Sequence, residues 1–127
     1  MKENNLVQDK SYRFAIKIIN LYKNIVETKK EYVLSKQVLR SGTSIGANIE
    51  EGIGGQSERD FFAKLNIAYK EARETKYWLR LLRDTGYLTQ DEAITYLSDC
   101  EELLRIIGSI INTMKIKLDI KPPKPNS

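Results

Sequence analysis

The stretch FFAKLNIAYKEARETKYWLRLL, residues 61–82, carries the most regular apolar pattern in the chain. Its apolar and small side chains recur at alternating intervals of four and three residues, at Phe61, Leu65, Ala68, Ala72, Thr75, Leu79 and Leu82. That spacing keeps every member on one face of an α-helix that packs against other helices. Ser57 can cap the start of such a helix, with Asp60 three residues later near the open N–H groups. Gly86 suits the left-handed residue that follows a helix end, so the pattern predicts a long amphipathic helix between Ser57 and Gly86.

A first helix is predicted upstream, from about Leu6 to Glu27. Its main apolar stripe has the same four-and-three spacing and consists of Phe14, Ile18, Leu21 and Ile25. A second stripe lies beside it, at Tyr12, Ala15, Ile19, Tyr22 and Val26. An apolar face of that width predicts contact with two neighbouring helices.

The second helix is predicted from about Tyr32 to Glu51, and its centre is weak. Its stripe consists of Leu34, Val38, Gly42, Ile45, Ile49 and Gly52. Relative to alanine, the residues at 41–44 and Gly46 cost roughly 3 kcal/mol in helix propensity. Tertiary contact must offset this cost, and glycine at Gly42 and Gly46 would let a neighbouring helix approach closely. A break of the helix at Gly42 is the alternative.

The last helix is predicted after Thr89, which can form a capping box with Glu92. Its apolar positions continue the alternation at Ala93, Leu97, Cys100, Leu104, Ile107, Ile111, Met114 and Leu118. Cys100 has apolar neighbours on this stripe, so we expect a buried structural thiol and not a reactive one. The sequence KPPKP at residues 121–125 cannot be helical and predicts an extended tail.

Four amphipathic helices joined by short polar connections predict an all-α protein, an antiparallel up-down-up-down four-helix bundle. The length of 127 residues fits one domain. We place the bundle at residues 1–118 and a proline- and lysine-rich tail at residues 119–127. The single cysteine cannot form an intramolecular disulfide, and no apolar leader follows Met1 and Lys2. No apolar run approaches the roughly 20 residues of a membrane span, so we expect a cytoplasmic protein with no membrane role.

The residues of common catalytic and metal sites are scarce. The chain has no histidine, which removes the commonest general base and the Glu-x-x-His ligands of di-iron bundles. A carboxylate-only site could be drawn from Glu50, Glu51, Glu71 and Glu74, but glutamates on a bundle surface are mostly solvated. The glycines at Gly52, Gly54 and Gly55 follow a helix instead of a strand and lack a P-loop lysine, so they predict a helix stop. We expect no enzymatic activity, no cofactor and no metal.

Three segments of the chain resemble one group of bacterial proteins. They are SIGANIEEG at residues 44–52, SERDF at residues 57–61 and EARETKYWL at residues 71–79. The chain up to the tail is similar to the four-helix bundle proteins of the 23S rRNA intervening-sequence family, and the motif residues here include Ser44, Asn48, Ile49, Glu51 and Gly52. Glu50 departs from the alanine that is more usual in the family. The resemblance implies a homo-oligomer, with pentameric rings the best-known assembly, and it implies no reaction.

A similar bundle is the accessory protein of diversity-generating retroelements, where a basic ring works with nucleic acid, and this makes RNA or DNA a candidate partner. The net charge of +4 also mildly favours a polyanion. We predict nucleic-acid contacts at Lys10, Arg13, Lys17, Lys121 and Lys124, repeated around an oligomer. The alternative is a mixed-charge surface that only keeps the protein soluble, in a protein-interaction scaffold. No RNA-recognition motif and no aromatic platform with interleaved basic residues is evident.

The helix predicted between Ser57 and Gly86, the third in the chain, has a second stripe beside its core stripe. It consists of Ile67, Glu71, Glu74, Trp78 and Leu81, with Tyr77 adjacent. Aromatic anchors are enriched at interface centres, so we predict that this stripe forms the oligomer interface, with the glutamates facing cations of the next subunit. The alternative is that a wide face meets two helices of the same bundle. On helix 2 we expect Asn48 and Glu51 to form hydrogen bonds to the following loop or to a neighbouring helix, because half-buried polar groups need partners.

Overall fold

The computed structural model describes residues 2–120, and within that range it contains four α-helices and no strand. The helices are α1 Lys2–Lys29, α2 Leu34–Ile53, α3 Glu58–Asp84 and α4 Gln90–Lys117. Each packs against its neighbour in the chain, and α1 also contacts α4, although this last contact is the least extensive. The predicted all-α four-helix bundle is confirmed. The predicted tail begins two residues before the end of this range, and the rest of it, residues 121–127, lies outside the described part of the chain.

The direction of each helix follows from which residues meet. Along α1 and α2, Gly46 approaches Ser11, whereas Gly42, four residues earlier, approaches Ile18, seven residues later. Rising numbers on one helix therefore meet falling numbers on the other, so α1 and α2 are antiparallel. The same order holds between α2 and α3, where Arg40 meets Glu71 and Glu51 meets Lys64. It also holds between α3 and α4, where Lys76 meets Glu101 and Glu58 meets Lys117.

The predicted close approach at the α2 glycines is confirmed. A Cβ atom added at Gly42 would lie 2.8 Å from Cγ2 of Ile18, and one added at Gly46 would lie 3.3 Å from the carbonyl oxygen of Ser11. The helix continues through both glycines to Ile53, so the alternative of a break at Gly42 is wrong. Tight packing against α1 therefore offsets the low helix propensity of this segment.

The core stripe of α3 is buried at all seven predicted positions, and the stripe of α1 at all four. In α4 the prediction is only partly right, since Leu97, Leu104 and Leu118 are half-buried at the edge of the core. Leu103 and Ile110 are buried in their place. The reason is that α4 packs against α1 as well as α3, which turns the centre of its buried face away from the stripe that strict alternation selects.

The second α1 stripe was expected to contact a neighbouring helix, and this is right only in part. Ala15, Tyr22 and Val26 are half-buried, whereas Tyr12 and Ile19 are exposed. Ile16, one turn from Tyr12, is exposed as well. We call the three exposed side chains Tyr12, Ile16 and Ile19 the α1 strip.

The helix ends follow local chemistry. Ser57 accepts a hydrogen bond from the Asp60 N–H, Thr89 and Glu92 form the predicted capping box, and Gly86 has the predicted positive φ, at 88°. The start of α2 was predicted two residues too early, because the cap contributed by Glu31 was missed. Its carboxylate accepts hydrogen bonds from the N–H groups of Val33, Leu34 and Ser35 at 2.7, 3.0 and 2.7 Å. The helix therefore begins at Leu34 and not at Tyr32.

One polar pair lies inside the core. The hydroxyl oxygens of Ser41 on α2 and Thr75 on α3 are 2.8 Å apart, and both side chains are completely buried. Thr75 Oγ1 also lies 2.7 Å from the Glu71 carbonyl oxygen. Each hydroxyl thus has a partner, as buried polar groups require.

Candidate nucleic-acid interface

The predicted nucleic-acid residues of α1 come together, but each is paired with a carboxylate. Lys10 Nζ lies 3.0 Å from Glu102, and Lys17 Nζ lies 2.6 Å from Asp99, both on α4. Arg13 Nε lies 3.0 Å from Asp9, one turn earlier on α1. This cluster therefore has three positive and three negative side chains and presents little net charge to a polyanion.

The basic residues near the C-terminus add little to that cluster. Lys117 is paired with Glu58 across the end of the bundle, whereas Lys115 is exposed. The predicted contacts Lys121 and Lys124 lie outside residues 2–120. The structure therefore brings three of the five predicted nucleic-acid residues together, as members of a neutral ion-pair cluster.

The motif residues of α2 make contacts within the chain. Ile49 is fully buried, and a Cβ atom at Gly52 would lie 2.9 Å from Cδ1 of Phe61. Glu51 forms the expected link to a neighbouring helix, at 2.7 Å from Lys64 Nζ on α3. The motif therefore packs the end of α2 against the start of α3.

The expectation for Asn48 was wrong. Its Nδ2 donates to the Ser44 carbonyl oxygen at 2.8 Å, so its bond lies within α2 and does not reach the loop or another helix. Ser44 behaves in the same way, since its hydroxyl donates to the Arg40 carbonyl oxygen at 2.6 Å. Short polar side chains inside a helix often satisfy themselves with the carbonyl four residues back.

The second stripe of α3 lies along α2. Glu71 and Glu74 both pair with Arg40 of the same chain, so they need no cation from a second subunit. Trp78 packs against the core and its Nε1 donates to Glu74 at 3.0 Å. Ile67 remains 42% exposed, and Leu81 is half-buried. These contacts favour the same-bundle alternative for Trp78, and they leave Ile67 as the exposed apolar member of the stripe.

A basic groove that the sequence analysis missed lies between α3 and α4. Tyr69, Arg73, Lys76, Tyr77 and Arg80 line a cavity of about 510 Å³, with Leu104 of α4. We call these six residues the arginine–tyrosine groove. Their spacing on α3 is visible in the sequence, because Tyr69, Arg73, Tyr77 and Arg80 follow one another at intervals of four, four and three. This alternation of tyrosines and arginines on α3 was therefore overlooked in the sequence analysis.

The charges of this groove differ from those of the α1 cluster. Lys76 pairs with Glu101 at 3.0 Å. Arg73 and Arg80 are exposed, and among residues 2–120 no carboxylate oxygen lies within 4.0 Å of either guanidinium. Asp84, one turn beyond Arg80, is held by Arg83 through hydrogen bonds of 2.8 and 3.1 Å. The groove therefore retains two unpaired guanidinium groups, the side chain best suited to phosphate.

The aromatic members of the groove are held in place by contacts with neighbouring residues. The Tyr77 ring meets the Trp78 ring edge to face, with centroids 5.1 Å apart and planes at 70°. Trp78 is fixed by Glu74, which is paired with Arg40. Tyr69 packs over Gly108 of α4, since a Cβ atom there would lie 3.5 Å from its ring. Tyr77 itself is 52% exposed, so it presents a positioned aromatic ring to solvent.

Two other features within residues 2–120 are candidate sites, a cavity at one end of the bundle and the Cys100 thiol. A cavity of about 490 Å³ at one end of the bundle has an apolar floor of Phe61, Ile110 and Met114 and the Glu58–Lys117 pair beside it. The Cys100 thiol is buried, which raises its pKa to about 12, and its Sγ lies 3.2 Å from the Ala72 carbonyl oxygen. Over the same range no group of three or more Cys, Asp or Glu side chains could hold a metal ion, and no helix could span a membrane.

Fold and surface together define a four-helix bundle protein with a basic, tyrosine-lined groove on one side. The chain belongs to the 23S rRNA-intervening sequence protein family, whose model matches residues 3–109. It is similar to a protein of unknown function from Bacteroides thetaiotaomicron VPI-5482, which is described as a member of the S23 ribosomal protein family. The identity is 53% over 87% of this chain and 98% of that one, with a TM-score of 0.85. No curated protein matches the chain.

Proposed function

We propose that this protein is a non-enzymatic bundle that binds nucleic acid through the arginine–tyrosine groove and acts as a homo-oligomer. The observation that carries the nucleic-acid proposal is the contrast between two basic surfaces. On α1 every predicted cation has a carboxylate partner, whereas Arg73 and Arg80 on α3 have none among residues 2–120. Unpaired cations release counterions when they bind phosphate, and this release drives most of the affinity of nucleic-acid-binding proteins.

The homo-oligomer is supported by apolar side chains that the single chain leaves exposed. The α1 strip lies on one helix, and Ile67 is an exposed apolar side chain on another. A ring made by rotation needs two different contact surfaces on each subunit, one for each neighbour. Repeating the groove around such a ring would raise the affinity for a long polyanion through avidity. A pentamer is the number that the family resemblance implies.

The test is binding of the full chain to a labelled RNA hairpin with a single-stranded tail, followed by fluorescence anisotropy at several salt concentrations. Wild type should bind, with an affinity that falls as salt rises. The double variant Arg73→Gln/Arg80→Gln should lose about tenfold or more in affinity, and its salt slope should fall by about 0.7 to 0.9 for each phosphate that is no longer bound.

A matched control removes the same two positive charges from a different part of the surface. Lys23 on α1 and Lys36 on α2 are exposed cations without a carboxylate partner among residues 2–120. Lys23→Gln/Lys36→Gln should therefore bind almost as wild type does. An equal loss in both double variants would mean that only net charge matters. Absence of salt-dependent binding in wild type would overturn the nucleic-acid proposal.

The α1 strip favours a second candidate function, that of a protein-interaction scaffold. Three neighbouring exposed apolar side chains on one helix form the kind of patch that marks a protein contact. A wild-type protein that is monomeric in solution and does not bind the hairpin would favour this candidate.

A further inference from the structure

We infer that the arginine–tyrosine groove selects single-stranded nucleic acid, with Tyr77 stacking on a base while Arg73 and Arg80 contact the flanking phosphates. This inference rests on the proposed function and names the form of nucleic acid that the groove accepts. It starts from position, because Tyr77 lies four residues after Arg73 and three before Arg80. Residues at these intervals are neighbours on a helix surface, so the ring stands between two guanidinium groups.

The exposure and support of Tyr77 suit a stacking residue. Tyr77 is 52% exposed, and the edge-to-face contact of its ring with Trp78 occupies at most one of the two ring faces. Trp78 is anchored by the core and by its hydrogen bond to Glu74. A ring that is already held in place loses little conformational freedom when a base stacks on it.

The walls of the groove define what can enter. Tyr69 and Tyr77 are eight residues apart, about 12 Å along the helix axis, and both line the same cavity. In a duplex the bases are stacked inside, and only phosphates and groove edges are available to such a surface. In a single strand the bases can turn outward and stack on aromatic side chains with little sequence preference. Alternating tyrosines and arginines therefore fit a single strand better than a duplex.

The experiment compares separate probes on the full chain, by anisotropy at several salt concentrations. The probes are RNA and DNA strands of about 12 nucleotides and the same sequence, a size within the range that single-strand-binding surfaces occupy, and a duplex of equal length. Wild type should bind the single strands more tightly than the duplex. Tyr77→Leu should weaken single-strand binding about tenfold, with duplex binding and the salt slope unchanged, and Tyr77→Phe should retain most of the affinity. Comparison of the RNA and DNA strands shows which sugar the groove prefers.

The control is Tyr32→Leu, which removes a similarly exposed tyrosine, 55% against 52% for Tyr77, from the connection between α1 and α2 and should bind as wild type does. If wild type binds none of the three probes, the proposed function fails and this inference fails with it. If wild type binds but prefers the duplex, or if Tyr77→Leu and Tyr32→Leu bind equally well, the inference is overturned while the proposed function stands. Circular dichroism of each variant should match wild type, and the melting temperature of Tyr77→Leu should fall only slightly, because that variant loses one edge-to-face contact with Trp78.

Discussion

Ile18 on α1 and Gly42 on α2 lie at a close contact between the two helices, where a single added methyl group would come within 2.8 Å of Ile18 Cγ2 and 2.9 Å of Cγ1. Real Cβ atoms do not approach carbon this closely, and the Ile18 side chain is fully buried, so it has little room to move. The contact explains why a helix of low propensity keeps glycine at this position.

Gly42→Ala should therefore destabilise the protein by about 1 to 3 kcal/mol through overpacking, although alanine is the better helix former. The measurement is urea unfolding followed by circular dichroism. The matched control is Gly108→Ala in α4, where a Cβ atom would make an ordinary 3.5 Å contact with Tyr69. That variant should be up to about 1 kcal/mol more stable than wild type. In an Ile18→Ala background the cost of Gly42→Ala should shrink, and an unchanged cost would show that Ile18 is not the obstacle.

Glu31 should contribute to stability in a pH-dependent way. Burial raises the pKa of its carboxyl. Hydrogen bonds from the N–H groups of Val33, Leu34 and Ser35 together lower the pKa by more than burial raises it, so the pKa lies below the ordinary 4.5. A group with a depressed folded-state pKa stabilises the fold fully above its unfolded pKa, and the contribution is lost as the pH falls through the folded value.

Glu31→Gln should accordingly cost about 1 kcal/mol at neutral pH, as loss of a helix cap usually does. The difference from wild type should narrow as the pH falls below about 4.5. Urea unfolding at a series of pH values provides the measurement, with Glu27→Gln, at an exposed glutamate of α1, as the control. A difference that stays constant with pH would show that the carboxylate charge is not what caps α2.

Cys100 should be unreactive in the folded protein. Burial raises the pKa of its thiol to about 12, and the reactive form of cysteine is the thiolate. At pH 8 the native protein should react with a disulfide reagent about a thousandfold more slowly than the urea-unfolded protein. Rapid labelling of all molecules without denaturant would contradict the buried position of this side chain.

Self-association is best tested at exposed positions, where a substitution leaves the fold intact. Wild type should be a homo-oligomer by light scattering. If the second stripe of α3 forms the interface, Ile67→Glu should dissociate the oligomer. If the α1 strip forms the interface, Ile16→Glu should dissociate it. Ile94→Glu, on the outer face of α4, is the control, because Ile94 is also exposed. Unchanged assembly in Ile67→Glu would leave the stripe with its contacts inside one chain, and a monomeric wild type would contradict assembly altogether.

The sequence predicted features that depend on neighbours along the chain. The α3 stripe, the Ser57 cap, the Thr89–Glu92 capping box and the Gly86 turn are local, because each depends on residues a few positions apart. The close approach at Gly42 was predicted as well, since the energetic weakness of the segment itself called for a tertiary contact.

The charge of a surface was not predictable in this way. Lys10 and Lys17 look available in the sequence, and their carboxylate partners Glu102 and Asp99 are 92 and 82 residues away. The partners become neighbours only once α4 has folded back along α1. Arg73 and Arg80 looked no different from those lysines, and only the fold shows that they are left unpaired. The net charge of the predicted α1 cluster was therefore misjudged, whereas the helices themselves were placed correctly.

The hydroxyl pair of Ser41 and Thr75 has a consequence for how α2 and α3, the two helices in most extensive contact, align. The apolar stripe of α3 repeats every seven residues, so apolar packing alone would also tolerate α3 shifted along α2 by one such repeat. In either shifted alignment Ser41 would face Ala68 or Leu82 instead of Thr75. Its buried hydroxyl would then lose its partner on α3 and would be left with a carbonyl of its own helix, the kind of bond that Ser44 makes. The pair thus favours one register of the α2–α3 hairpin, and its contribution is to the uniqueness of the fold more than to its net stability.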